Sequence, residues 1–196
     1  MGETIVRMGE LAAERGDGVL CTIGLGSCVG VALLDDERAV AALAHVVLPD
    51  AAAHRGERAA LPAGRFADTA VPLLVERAAT LGAARRRLRA VLVGGASMFA
   101  LRRAAGEPDV GERNVAAVRD ALRRIGIPVA AEDVGGAHGR TVRVRTDGTV
   151  RVRIAGGAER LLRAPSAAVG EAPPLRGTLP PGAPAVGATL GLGVAR

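Results

Sequence analysis

A cysteine and a histidine near the start of the chain are spaced so that folding can bring sulfur and imidazole together. Residues 22 to 49 read TIGLGSCVGVALLDDERAVAALAHVVLP. The stretch divides into a glycine turn, Gly24-Leu25-Gly26-Ser27-Cys28, and two apolar runs, Val29 to Leu34 and Ala39 to Leu48, separated by the charged link Asp35-Asp36-Glu37-Arg38. Two β-rich runs around a short polar link predict a hairpin. Cys28 then opens the first strand and His45 lies near the end of the second, so antiparallel pairing returns imidazole toward thiol. A free thiol is only about a few per cent ionised near neutral pH and needs a neighbouring base or cation to be a useful nucleophile. Gly24 and Gly26 remove side chains that would obstruct a substrate carbonyl, and with Ser27 they supply backbone N–H groups of the kind that form an oxyanion site. Thiol-dependent hydrolysis of an amide is the chemistry this grouping suits.

Competing readings of the same residues are weaker. A Cys21–Cys28 disulfide is disfavoured if the chain is cytoplasmic. Cys21, Cys28 and His45 lack the short paired spacings of a structural zinc site, and no fourth ligand suggests itself, so no metal is expected. Cys21 sits in the apolar run Val19 to Ile23 and reads as core. Gly94-Gly95 after a strand invites a phosphate-loop reading, but no Lys-Ser or Lys-Thr follows. Gly24-Leu25-Gly26 fails the dinucleotide reading because it opens a strand and not a helix. No cofactor is expected.

The elements that must position these groups are legible in outline. Thr4 to Met8 alternates and predicts an edge strand, Gly16-Asp17-Gly18 a turn, and Val19 to Ile23 a strand leading into the nucleophile turn. Residues 50 to 64, with His54, have no periodicity and read as an exposed loop. A helix is expected from Arg65 to Leu81, stopped by Gly82, with Pro72 as an obstacle inside it. Leu88 to Val93 reads as a buried strand. Val115, Val118, Leu122 and Ile125 mark a second helix ending at Gly126, with Gly111-Glu112-Arg113-Asn114 as its lead-in. Acidic residues at a helix start are expected on structural grounds, so Glu112 need not be a contact. Pro128 to Glu132 is a further strand. Thr141 to Arg145 and Val150 to Ile154 form a hairpin whose outer face is all Arg. The fold class is therefore α+β: layered, mostly antiparallel sheets with two main helices packed on one side. Residues 1–155 read as the folded domain and 156–196 as a Pro, Gly and Ala-rich tail, disordered or loosely docked.

Composition limits the function classes. The 196 residues, 49% hydrophobic, suffice for one domain with a core, whose volume must come from aliphatic side chains because Trp and Tyr are absent. A net charge of +6 would ordinarily suggest nucleic acid, but every basic residue is Arg, and the cluster Arg85-Arg86-Arg87 has no aromatic beside it to stack a base. A solvated face explains it better. No apolar run approaches the roughly 18 to 20 residues needed to span a bilayer, and the N-terminus has no signal pattern, so a cytoplasmic protein is expected.

At Thr22 to Val29 and at Ala44 to Pro49 the sequence resembles the chemoreceptor glutamine deamidases, the CheD family. Gly94-Gly95-Ala96-Ser97-Met98-Phe99, Gly111-Glu112-Arg113-Asn114-Val115, Ala131 to Gly136 and Gly139-Arg140 are similar to its later blocks, in its order, so the resemblance runs to about residue 154. It implies a protein-glutamine glutaminase with a cysteine-hydrolase-like fold, acting through Cys28, His45 and Thr22, the last holding the imidazole. Without the resemblance, Thr22 is equally a strand residue satisfying its own backbone. His138 is a conceivable alternative base. The implied substrate is the cytoplasmic helical bundle of a chemoreceptor, and family members also bind a CheC-type phosphatase. Many relatives carry a tyrosine near Phe66, which this chain lacks. Two other classes stay open: a thiol hydrolase of another protein amide or a methyl ester, and a non-catalytic chemotaxis module, against which intact Thr22, Cys28 and His45 argue.

Overall fold

The computed structural model describes residues 2–52, 61–97 and 109–166. Its strands are β1 (Glu3–Ile5), β2 (Leu11–Arg15), β3 (Val19–Leu25), β4 (Val29–Asp35), β5 (Val40–Val46), β6 (Arg89–Gly94), β7 (Val129–Val134), β8 (Arg140–Arg145), β9 (Val150–Ile154) and β10 (Glu159–Arg163). The helices are α1 (Ala67–Thr80) and α2 (Val110–Arg124). One sheet has the order β2-β5-β4-β6-β7 and the other β1-β3-β8-β9-β10. Among the strands of the described residues, only β6–β7 and β1–β3 pair in parallel, so the expected α+β layering with mostly antiparallel strands is observed.

Alternation along the central hairpin explains the layers. Val29, Val31 and Leu33 of β4 and Val40, Ala42, Ala44 and Val46 of β5 pack against α1 and α2. Ala32, Leu34, Ala41 and Leu43 point the other way and meet Leu20, Val142, Val144 and Val152 of the second sheet. Strands covered on both faces read as continuous apolar runs, which is why the hairpin was plain in the sequence. Its link is a 3-10 turn, Asp36–Arg38, closed by Ala39 at φ 48°. Leu and Val fill most of the core, with Phe66 the buried aromatic.

Three expectations change. The Leu11–Arg15 stretch, too poor in β-formers to be noticed, is a strand because β5 offers it a ladder from Leu11↔Ala44 to Arg15↔Val40. Pro72 does not break α1. It sits on the exposed face, as does Asp68, whose carbonyl its missing N–H leaves to water. The domain boundary at 155 falls inside a sheet: β10 pairs antiparallel with β9. Beyond it, Arg163 and the Ser166 N–H hold the Asp36 carboxylate, with Arg163 Nη2 at 2.7 Å. One arginine and one backbone N–H reach back to the hairpin link, in spite of the glycine and proline around them. Residues 167–196 lie outside the described residues, as do His54, Met98 and Phe99.

The α2 lead-in expected at Gly111–Asn114 is already helix. Asp109 and Glu112 form a reciprocal capping box, with Glu112 N–H donating to Asp109 Oδ1 at 2.8 Å and Asp109 N–H to Glu112 Oε2 at 2.9 Å. That places Asn114 one turn in, on the buried side.

Candidate active site

The nucleophile turn begins where β3 loses its regular ladder. Thr22 faces the space between the sheets, Ile23 faces out at 57% exposure, and a bulge between Thr22 and Leu25 turns Leu25 inward again. Gly24 supplies the bulge with φ +76°. A Cβ there would meet nothing within 4 Å, so it is the left-handed backbone, not crowding by the protein, that favours glycine here. Gly26 spends its N–H on the Gly24 carbonyl, at 2.9 Å, and its own carbonyl accepts from Ala96 N–H at 2.7 Å. Among the described residues the Ser27 and Cys28 N–H groups donate to no carbonyl. Of the turn groups singled out in the sequence, Gly26 has its N–H spent, while those of Ser27 and Cys28 meet no carbonyl among the described residues.

Cys28 is 8% exposed and packs in the layer between the sheets. His45 pairs with Gly30 across β4–β5, two residues beyond Cys28. Cys28 and His45 are thus diagonal neighbours on one face, an arrangement with Cα atoms about 7 Å apart that longer side chains bridge. Gly30 is packed closely beneath the second sheet, where a Cβ would lie 2.9 Å from Leu25 Cδ1 and 3.5 Å from Thr22 Cγ2. Both cysteines are free. Cys21, one residue before Thr22, faces the opposite way, beneath Glu3 and Arg143, and burial is the main reason its thiol is pushed up to about 11.

The imidazole is held from behind. Thr22 Oγ1 donates to the Val6 carbonyl at 2.7 Å and lies 2.7 Å from His45 Nδ1. A hydroxyl has one proton, and once Val6 takes it, the remaining contact requires Nδ1–H donating to Oγ1. That tautomer leaves Nε2 bare. Nε2 is buried and has no partner among the described residues. The His45 backbone is also fixed, its N–H donating to Glu10 and its carbonyl accepting from Gly9, each at 3.0 Å. The strand that sequence reading overlooked, β2, thus continues into the segment that seats the base.

Burial lowers the His45 pKa from 6.5. It raises that of Cys28 above 9.0, an effect opposed by the charge of Arg65 and by the residue's own N–H. Both shifts favour the neutral thiol and the neutral imidazole. Arg65 is anchored beside the dyad by its carbonyl, which accepts from Val47 N–H at 2.8 Å and Leu48 N–H at 3.1 Å. Its Nε is buried and unpartnered among the described residues.

Gly94 and Gly95 pack against the backbone of Cys28. Gly95 N–H donates to the Cys28 carbonyl at 2.8 Å, and a Cβ on Gly94 would fall 2.3 Å from that carbonyl oxygen. The Gly135-Gly136 loop joins behind it, with Ser97 N–H donating to Gly136 O at 2.8 Å. His138 is exposed on the β7–β8 loop, and its ring is outside the buried network. Nothing local in the sequence marks Arg65, Gly94 or Asn114 as neighbours of this turn, because each meets it through a contact remote along the chain.

A buried thiol and a buried ring nitrogen thus lie on one sheet face, next to the Ser27 and Cys28 N–H groups. The chain belongs to the CheD family. Residues 47–155 match the family described as CheD chemotactic sensory transduction. The chain is 42% identical over 158 residues to the chemoreceptor glutamine deamidase CheD of Thermotoga maritima, covering 80% of this chain and 95% of that protein. It is 43% identical over 137 residues to the protein of the same name from Halalkalibacterium halodurans, covering 70% and 83%. To the probable chemoreceptor glutamine deamidase CheD of Symbiobacterium thermophilum it is 47% identical over 140 residues, covering 71% and 84%.

Proposed function

We propose that this protein is a protein-glutamine glutaminase that converts chemoreceptor glutamine side chains to glutamate, releasing ammonia. The observation that carries the reading is the bare, buried Nε2 of His45 on the same sheet face as Cys28. Cys28 sulfur attacks the carboxamide carbon as its proton passes to Nε2. The oxygen that gains charge is held by the N–H groups of Cys28 and Ser27. His45 then returns the proton to the departing nitrogen, the C–N bond breaks, and a thioester remains. Water, deprotonated by the same Nε2, adds to the thioester, and the C–S bond breaks to give glutamate and the thiol. Thr22 keeps the ring in the tautomer both half-reactions need.

The substrate class is carried over from the relatives' names, and the family resemblance adds the receptor's cytoplasmic helical bundle and a CheC-type phosphatase as partners. A cytoplasmic location follows from that substrate. Among the described residues no helix is long and apolar enough to cross a membrane. The arginine face of β8 and β9 gives limited support for an acidic partner. Arg143 already bonds Glu3 and Glu159, and Arg145 bonds Asp147.

Mass spectrometry of a receptor cytoplasmic domain incubated with the wild type, Cys28→Ala or His45→Ala tests the reading. Exchange of amide NH2 for OH is expected at defined glutamines with the wild type only. Equal conversion by Cys28→Ala would reject the nucleophile.

A further inference from the structure

One amide on α2 touches the chain on both sides of the dyad. Asn114 is fully buried. Its Nδ2 donates to the Ser27 carbonyl at 2.9 Å and to the Val47 carbonyl at 2.8 Å. Two carbonyl acceptors require the nitrogen, and not the oxygen, on this side. Ser27 precedes the nucleophile, and Val47 lies two residues past the base. The β4–β5 ladder ends at Val29↔Val46, so Asn114 bridges the two strands where their own pairing has stopped.

Packing alone does not account for an amide here. Asn114 Oδ1 is buried without a partner among the described residues, a burden an apolar side chain of the same size would avoid. What the amide alone can do is fix a peptide plane. The unit joining Ser27 to Cys28 is trans and rigid, so anchoring the Ser27 carbonyl directs the Cys28 N–H the opposite way.

We infer that Asn114 is a positioning residue: by tying the Ser27 carbonyl to Val47, it aims the Cys28 N–H at the site where the oxyanion forms. The inference rests on Cys28 being the nucleophile of the proposed reaction and goes beyond it in assigning the control of the donor to α2.

Reversible addition of butyraldehyde to Cys28 tests this without the natural substrate. The thiol adds across the C=O bond, forming S–C, and its proton passes to the oxygen, which the Cys28 N–H holds. Wild type, Asn114→Ala and the volume-matched Asn114→Leu are compared for aldehyde affinity and for iodoacetamide alkylation of Cys28, a displacement at carbon that develops no oxyanion. Aldehyde affinity is expected to fall roughly 10- to 100-fold in both variants, while alkylation stays within about twofold. Unchanged aldehyde affinity in folded variants overturns the inference, and so does a parallel loss of both reactivities. A thermal midpoint that drops while the folded protein keeps both reactivities assigns Asn114 to structure only and also overturns it. A wild type that takes up the aldehyde with this pattern in its variants, yet releases no ammonia from receptor domains, sinks the glutaminase proposal and leaves the positioning role standing.

Discussion

Replacing Thr22 with valine keeps a β-branched side chain and deletes the oxygen that bonds both Val6 and His45. Two buried contacts of 2.7 Å disappear. Each is worth about 1 kcal/mol net, and a buried N–H left without an acceptor costs a further ~1–3 kcal/mol. The ring escapes that cost by moving its proton from Nδ1 to Nε2, which leaves no lone pair on Nε2 to act as the proposed base. In triads oriented by a carboxylate the wrong tautomer costs about 10⁴ in rate, and a neutral hydroxyl holds the ring less strongly. A loss of about 1.4–2.7 kcal/mol in the transition state, or roughly 10- to 100-fold in kcat/KM, is expected for Thr22→Val. Thr22→Ser restores the oxygen and should recover activity to within about threefold of wild type. Ammonia release measures the rates, and ¹⁵N NMR of the histidine ring reports which nitrogen carries the proton, at a temperature where circular dichroism shows each variant folded. Thr22→Val within about twofold of wild type, or a wild-type ring protonated at Nε2 and bare at Nδ1, would refute the reasoning.

Stability should be flat between about pH 6.5 and pH 9 and fall on both sides. The folded His45 has a pKa below 6.5, so the unfolded chain binds the proton first and stability declines as pH drops below 6.5. The decline is at most about 1.4 kcal/mol per pH unit for one group. Cys28 and Cys21 have folded pKa values above 9.0, so the unfolded thiols ionise first and stability declines as pH rises past 9.0. Urea midpoints across this range check both limbs, and a midpoint that rises on either side contradicts the burial argument. Arg65→Met removes the cation that draws the Cys28 pKa down, so iodoacetamide should alkylate the variant several-fold more slowly at pH 8; equal rates would exclude an influence of Arg65. Gly94→Ala drives a methyl group to 2.3 Å from the Cys28 carbonyl at φ +113°, and a loss of more than about 3 kcal/mol in urea unfolding is expected. Gly139→Ala, with nothing within 4 Å, is the control and should stay within about 0.5 kcal/mol.

Local patterns carried much of this protein. The hairpin from Val29 to Val46 was legible because its strands are buried on both faces and a short charged link separates the two apolar runs. From that hairpin followed the placement of Cys28 and His45 on one sheet face, since side chains repeat every two residues along each strand. The helix stripes at Leu74 and Val118 were visible for the equivalent reason, a 3.6-residue period. Where local preference was weak the reading failed: Leu11–Arg15 and Glu159–Arg163 are strands because β5 and β9 offered them unpaired edges.

Only the tertiary structure decided which nitrogen of His45 bonds Thr22, which turn N–H groups meet a carbonyl among the described residues, and why Gly94 and Asn114 are what they are. Each depends on a hydrogen bond or a close approach between residues far apart in the chain: 16 positions from Val6 to Thr22, 87 from Ser27 to Asn114. The residues of one strand pair announce themselves through composition and period. The proton on a ring and the direction of a single peptide are set by partners that the second sheet and α2 bring in, and no local pattern encodes them.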